Sequence, residues 1–135
     1  MSDKIAKRFG YVIHVQNKEQ MAEYKRLHAN VWPAVLKRLK DSNIRNYTIY
    51  FCDKLNLMFS HIEYIGDDLD ADMKAIPEEP NMREWWKLCE PVQKPVQWED
   101  SKPPSEGGKG DWWFPMEEVF HDGLSATAYK DEAWF

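Results

Sequence analysis

At 135 residues and 16.1 kDa the chain has room for a single domain, 1–135, and none for a dinucleotide fold with a separate substrate domain. Lys and Arg number 18 against 23 Asp and Glu, so the formal charge of −5 supplies no basic surplus for phosphates and argues against nucleic acid as a partner. A content of 43% hydrophobic residues, with 7 Trp, 6 Tyr and 6 Phe, is too apolar for a disordered chain, and such an aromatic excess collects at interfaces and on the walls of ligand pockets.

Taken in chain order, Met1-Ser2-Asp3-Lys4 carries no apolar leader, and no stretch approaches the roughly 20 apolar residues of a membrane span, so a cytoplasmic protein with no membrane partner is expected. Phe9, Tyr11, Ile13 and Val15 alternate with Gly10, Val12 and His14, which reads as a strand with one apolar face. Asn17 followed by Gln20 resembles a capping box and predicts a helix from Lys18. Met21, Tyr24, His28, Val31 and Val35 recur at helical spacing, but Pro33 lacks an amide donor, so a break near Asn30 and a second helical piece to about Asp41 are expected.

Ile44 to Cys52 and Leu57 to Ile65 are β-rich runs joined by a turn-length connector and read as a hairpin. Asp67-Asp68 open a helical stretch through about Ala75, and after the Pro77 to Pro80 break Asn81 caps a short helix carrying Trp85-Trp86, which Pro91 ends. Residues 91–110 have the Pro, Gly and charge content of a surface loop, and Glu117 to His121 is the last expected strand. The order β-α-β-β-α-β predicts an α+β fold, a ferredoxin-like antiparallel sheet with helices on one face. The uncovered face, with Tyr11, Tyr50 and Phe59, then calls for a homodimer.

Cys52 and Cys89 stand far apart with no CxxC and read as buried free thiols. The histidines lie at 14, 28, 61 and 121 with no HExxH; His61 and Glu63 share a strand face, but two ligands fall short of a zinc site, so no metal is expected. GxSxG, P-loop and GxGxxG motifs are absent.

Chemistry concentrates in Tyr24-x-x-x-His28-x-x-x-Trp32, whose spacing of four stacks the side chains on one helical face. One reading is a core stripe in which His28 satisfies a backbone carbonyl and Tyr24 sends its hydroxyl to solvent. The other is a general acid/base pair in a partly dry pocket. Trp85 and Trp86 point about 100° apart on a helix, giving either a core and a surface indole or an aromatic wall for the C–H face of a sugar.

The run Tyr24-Lys25-Arg26-Leu27-His28-Ala29-Asn30-Val31-Trp32-Pro33, then Asn46-Tyr47-Thr48-Ile49-Tyr50, Asn56-Leu57-Met58-Phe59, Trp85-Trp86-Lys87 and Glu118-Val119-Phe120 resembles the L-rhamnose mutarotase family over residues 8–122. The resemblance implies a dimeric α/β barrel, no cofactor, and interconversion of the α and β anomers of a 6-deoxy-hexopyranose. His28 matches the family's proton-donor histidine; Tyr24, Tyr47, Trp85 and Trp86 match its sugar-binding positions. On that likeness His28 would protonate the ring oxygen while Tyr24 or Tyr47 handles the anomeric hydroxyl, with L-rhamnose the first candidate sugar and L-fucose the second. A cofactor-free monooxygenase and a non-catalytic sugar-binding dimer are the rival functions. The loop at about 91–115, with Trp98 and Trp112-Trp113-Phe114, and the C-terminal extension 123–135 exceed the compact family pattern; the aromatic triplet is expected over the pocket mouth or at the dimer interface.

Overall fold

A computed structural model describes residues 6–97, 102–108 and 111–123. The first apolar alternation forms strand β1, Lys7–Val15. A 3₁₀ turn, Lys18–Gln20, leads into helix α1, Met21–Ala29, and α2 follows as Pro33–Asp41 with Pro33 in its first turn, where a missing amide costs nothing. The break near Asn30 therefore separates two helices. The expected Asn17 cap does not form: the Asn17 amide donates to the Pro91 carbonyl at 2.6 Å, tying the start of α1 to a distant loop, and the first turn winds as 3₁₀ instead.

Strands β2, Ile44–Cys52, and β3, Leu57–Tyr64, make the predicted hairpin, and α3, Leu69–Ala75, is capped by the Asp68 carboxylate, which accepts from the Ala71 amide at 3.2 Å. Helix α4 spans Pro80–Cys89. Its cap is Glu79 rather than Asn81: with Pro80 preorganised inside the first turn, the Glu79 side chain accepts from the Asn81 amide at 3.0 Å.

The antiparallel sheet runs β2-β3-β1-β4, where β4 is Gln93–Lys94, and a fifth strand, β5, Phe114–Met116, also pairs with β1. Because β3 occupies one edge of β1 from Lys7 to His14, β4 and β5 lie along the other, at residues 14–15 and 10–12. Two sequence expectations are corrected here. The 91–110 stretch is not all loop, and the last strand is Phe114–Met116, not Glu117 to His121. Residues 117–121 are exposed, and Glu118 is held by side chain instead of by a ladder: Arg8 donates to both its carboxylate oxygens at 2.8 and 2.9 Å. Pro115 is tolerated because β5 is an edge strand.

One face of the sheet carries the core. The register sets Ile13 opposite Met58 and Tyr11 opposite Ser60 on that face, and α1, α2 and α4 add Met21, Tyr24, Val35, Met82, Trp85 and Cys89 to the same cluster. Simple alternation would place Ile44 and Tyr47 on opposite faces of β2. An irregularity between Arg45 and Thr48 resolves this: Asn46 takes φ 50°, inserting one extra residue, so that Ile44, Tyr47, Ile49 and Phe51 all face the helices. On the other face stand Tyr50 and Phe59, a cross-strand pair, with Tyr50 65% exposed. Tyr11, expected beside them, faces the helices. Cys89 is buried and Cys52 half-buried; both are free. Among the described residues no helix is long and apolar enough to cross a membrane.

Candidate functional site

Between the helices and the inward face of the sheet lies a cavity of about 710 Å³. Its centre is the helical pair Tyr24 and His28. The His28 Nδ1 sits 2.7 Å from the Tyr24 backbone carbonyl, which can only accept, so Nδ1 carries the hydrogen and Nε2 holds the lone pair. Burial lowers the His28 pKa, against the backbone bond, which favours the protonated ring. The imidazole is thus neutral near pH 7, and its Nε2 has no hydrogen-bond partner among the described residues. The Tyr24 ring stacks on it at a centroid distance of 4.2 Å and 24°, and Trp85 meets it edge-on at 5.1 Å. Trp32, carried past the break to the start of α2, stands edge-on to Trp85 at 5.2 Å.

Tyr24 is only 4% exposed, so its ring belongs to the core while the residue still lines the cavity. Its oxygen accepts from Gln93 Nε2 at 3.2 Å, and Gln93 Oε1 accepts from the Trp112 indole N–H at 2.9 Å. Desolvation raises the Tyr24 phenol well above its ordinary range, with Cys89 and Tyr47 adding to this and the Gln93 bond opposing it. Tyr47 is more open, at 45% exposed, yet burial around its hydroxyl still pushes the phenol up to about 12, helped by Cys89 and Tyr11. Both phenols remain protonated at neutral pH.

The indoles divide their work as the helical phase demands. Trp85 is buried at 5% exposure against His28, while Trp86 is half-buried, and both line the cavity. Trp112 and Trp113 line it from the stretch between β4 and β5 and pack against the core; Trp98 lies outside the described residues. The cavity's carboxylate, Glu90, is committed to that loop: it accepts the Ser105 amide at 2.9 Å and the Ser105 hydroxyl.

The model of the L-rhamnose mutarotase family matches residues 8–122. The chain belongs to the L-rhamnose mutarotase family. It is 32% identical over 117 residues to an L-rhamnose mutarotase of Ligilactobacillus salivarius, covering 84% of this chain and 95% of that protein. It is also 28% identical over 99 residues to one of Phocaeicola vulgatus, covering 73% and 83%. A crystal structure of an L-rhamnose mutarotase from Formosa agariphila shares the fold, with a TM-score of 0.62 at 20% identity over 86% of this chain and 98% of that one.

In this mutarotase-family chain all five predicted site residues, Tyr24, His28, Tyr47, Trp85 and Trp86, line the same cavity. His61 and Glu63 stand on the opposite face of the sheet, where Glu63 accepts from the Asn46 amide at 3.0 Å, and no group of three potential metal ligands occurs among the described residues. Gln93 was not foreseen, and Trp112 was expected only as part of the aromatic triplet, not as a partner of Gln93. Gln93 sits in a two-residue strand inside a Pro-rich stretch, too short for any periodic signal; the crowding of Trp112, Trp113 and Phe114 was the one hint of a buried segment.

Proposed function

We propose that this single-domain protein interconverts the α and β anomers of L-rhamnose without a cofactor, with His28 and a neighbouring phenol exchanging protons with the sugar. Family membership supports the isomerase activity. The observation that carries the site is the His28 tautomer, with Nδ1 committed to the Tyr24 carbonyl and Nε2 open in an aromatic cavity. A neutral imidazole has no proton on Nε2 to give, which favours His28 as the base in ring opening. It takes the proton of the anomeric hydroxyl as the C1–O5 bond breaks; the bond's electron pair goes to O5, which takes a proton from Tyr24 or Tyr47. The open-chain aldehyde turns about C1–C2. On closure O5–H adds to the other face of C1 and returns its proton to the phenolate, and the new anomeric oxygen takes the proton from imidazolium. The resemblance implies the opposite pairing, with His28 protonating the ring oxygen and a tyrosine at the anomeric hydroxyl; the Nδ1–H tautomer favours exchanging those two roles.

Trp85 and Trp86 supply the wall for the apolar sugar face, consistent with the aromatic enclosure around His28. The strand order supports a ferredoxin-like dimeric barrel, and Tyr50 on the uncovered face, with Val119 and Phe120 at 91% and 82% exposed, supports a homodimer. NMR exchange spectroscopy of the anomeric signals, run over L-rhamnose, L-fucose and several D-hexoses, tests the reading. Accelerated exchange greatest for L-rhamnose is expected; faster exchange of L-fucose would reassign the substrate, and exchange at the uncatalysed rate for every sugar would overturn the activity.

A further inference from the structure

We propose that Gln93 and Trp112 are positioning residues that fix the polarity of the Tyr24 hydroxyl, making Tyr24 rather than Tyr47 the phenol that donates to the bound sugar. The inference rests on the function proposed above and follows from which atoms can only donate. An indole N–H has no acceptor capacity, so the 2.9 Å contact forces the Gln93 carbonyl oxygen toward Trp112. The amide nitrogen must then face Tyr24, and since it can only donate, the Tyr24 oxygen accepts at 3.2 Å. The phenol hydrogen is thereby turned away from Gln93. Among the described residues no acceptor takes it, and the group lines the cavity beside His28.

Burial makes the chain of donors strict. Gln93 is 6% and Tyr24 4% exposed, so reversing the amide would set N–H against N–H and leave the buried Gln93 amide and the half-buried Trp112 indole without an acceptor. No such chain reaches the Tyr47 hydroxyl among the described residues, so its hydrogen has no set direction. The result is a site with a fixed pair of polarities: an acceptor at His28 Nε2 and a donor at Tyr24, the two that ring opening requires on the anomeric hydroxyl and the ring oxygen. Trp112 reaches this chain from the loop between β4 and β5, which links that loop to the chemistry as well as to enclosure.

A double-mutant cycle tests this on the whole chain. Gln93→Glu offers a carboxylate that only accepts, and so draws the Tyr24 hydrogen out of the cavity. It should lower the maximal L-rhamnose exchange rate by about 10 to 100-fold with the half-saturating sugar concentration changed less than about threefold. In a Tyr24→Phe background the same substitution should cost less than about twofold, because Gln93 acts through a hydroxyl that is no longer there. Trp112→Phe, which keeps an aromatic ring, should give a smaller rate loss that also vanishes in Tyr24→Phe. Equal losses in both backgrounds, tracking a fall in Tm, or no loss from Gln93→Glu, would overturn the proposal. The Trp112 indole N–H resonance gives a readout independent of turnover: slow exchange with water is expected in the unsubstituted protein and fast exchange in Gln93→Leu. Fast exchange before any substitution would refute the donor chain even if the protein turns out to exchange no anomers, an outcome that would sink the function alone.

Discussion

Asn46→Val tests how β2 delivers Tyr47 to the cavity. Asn46 holds φ 50°, a left-handed conformation that asparagine tolerates and a β-branched residue resists, and its amide donates to Glu63 at 3.0 Å on the exposed side of the sheet. Backbone strain of this kind amounts to about 1–3 kcal/mol, and an exposed hydrogen bond adds about 0.5 kcal/mol or less. A loss near 2 kcal/mol follows. With an unfolding entropy of about 2.1 cal/mol/K per residue over 135 residues, that is a fall of roughly 7 °C in Tm. Asn46→Gly loses the same side-chain bond but adopts φ 50° freely, so it should stay within about 1 kcal/mol of the original. Urea denaturation at constant slope separates the two variants, and sugar affinity from tryptophan fluorescence should weaken only in Asn46→Val, where β2 gains by flattening and turning Tyr47 outward. Equal stability and equal affinity in the two variants would refute the claim that the extra residue at Asn46 aims Tyr47.

Burial lowers the His28 pKa below 6.5, so exchange measured against pH should hold steady through neutrality and fall only when the folded-state histidine protonates. Because the unfolded chain binds this proton at higher pH than the folded one, the His28 contribution to stability is complete above about 6.5 and is lost as pH falls through the folded value; His28→Asn should remove that component from the denaturation midpoint against pH. Trp85→Ala, deep against His28 and Trp32, should destabilise by about 3–5 kcal/mol in calorimetry, whereas the half-buried Trp86→Ala should weaken sugar binding and rate together with a smaller stability loss of about 1–2 kcal/mol. Light scattering at micromolar concentration should report a mass near twice 16.1 kDa, and a persistent monomer would remove the barrel assembly.

The parts of the site that ride on one regular helix were legible in the sequence, because a spacing of four leaves Tyr24 and His28 no choice but to stack, and α4 divides Trp85 from Trp86 by the same geometry. The hairpin and the broken α1–α2 pair were legible for similar reasons, the first from β-branched and aromatic runs, the second from Pro33. What escaped depends on contacts between distant segments. The Asn17 side chain left its own helix for Pro91, so a local capping pattern misled. Residues 117–121 have strand-like composition, yet pairing with β1 went to Phe114–Met116, next to two indoles that gain by burial over the cavity. Gln93 became a site residue only because Tyr24, from one element, and Trp112, from another, converge on it.

The central claim is that His28 moves protons at the sugar, and anomeric exchange of L-rhamnose by His28→Asn, measured by NMR together with sugar affinity, tests it most directly. The account predicts that exchange falls by about 10² to 10⁴ while binding followed by tryptophan fluorescence changes little, since the substitution keeps a polar end but removes the titrating ring. Undiminished exchange accompanied by a lower Tm would contradict it and leave His28 as a core histidine bonded to the Tyr24 carbonyl.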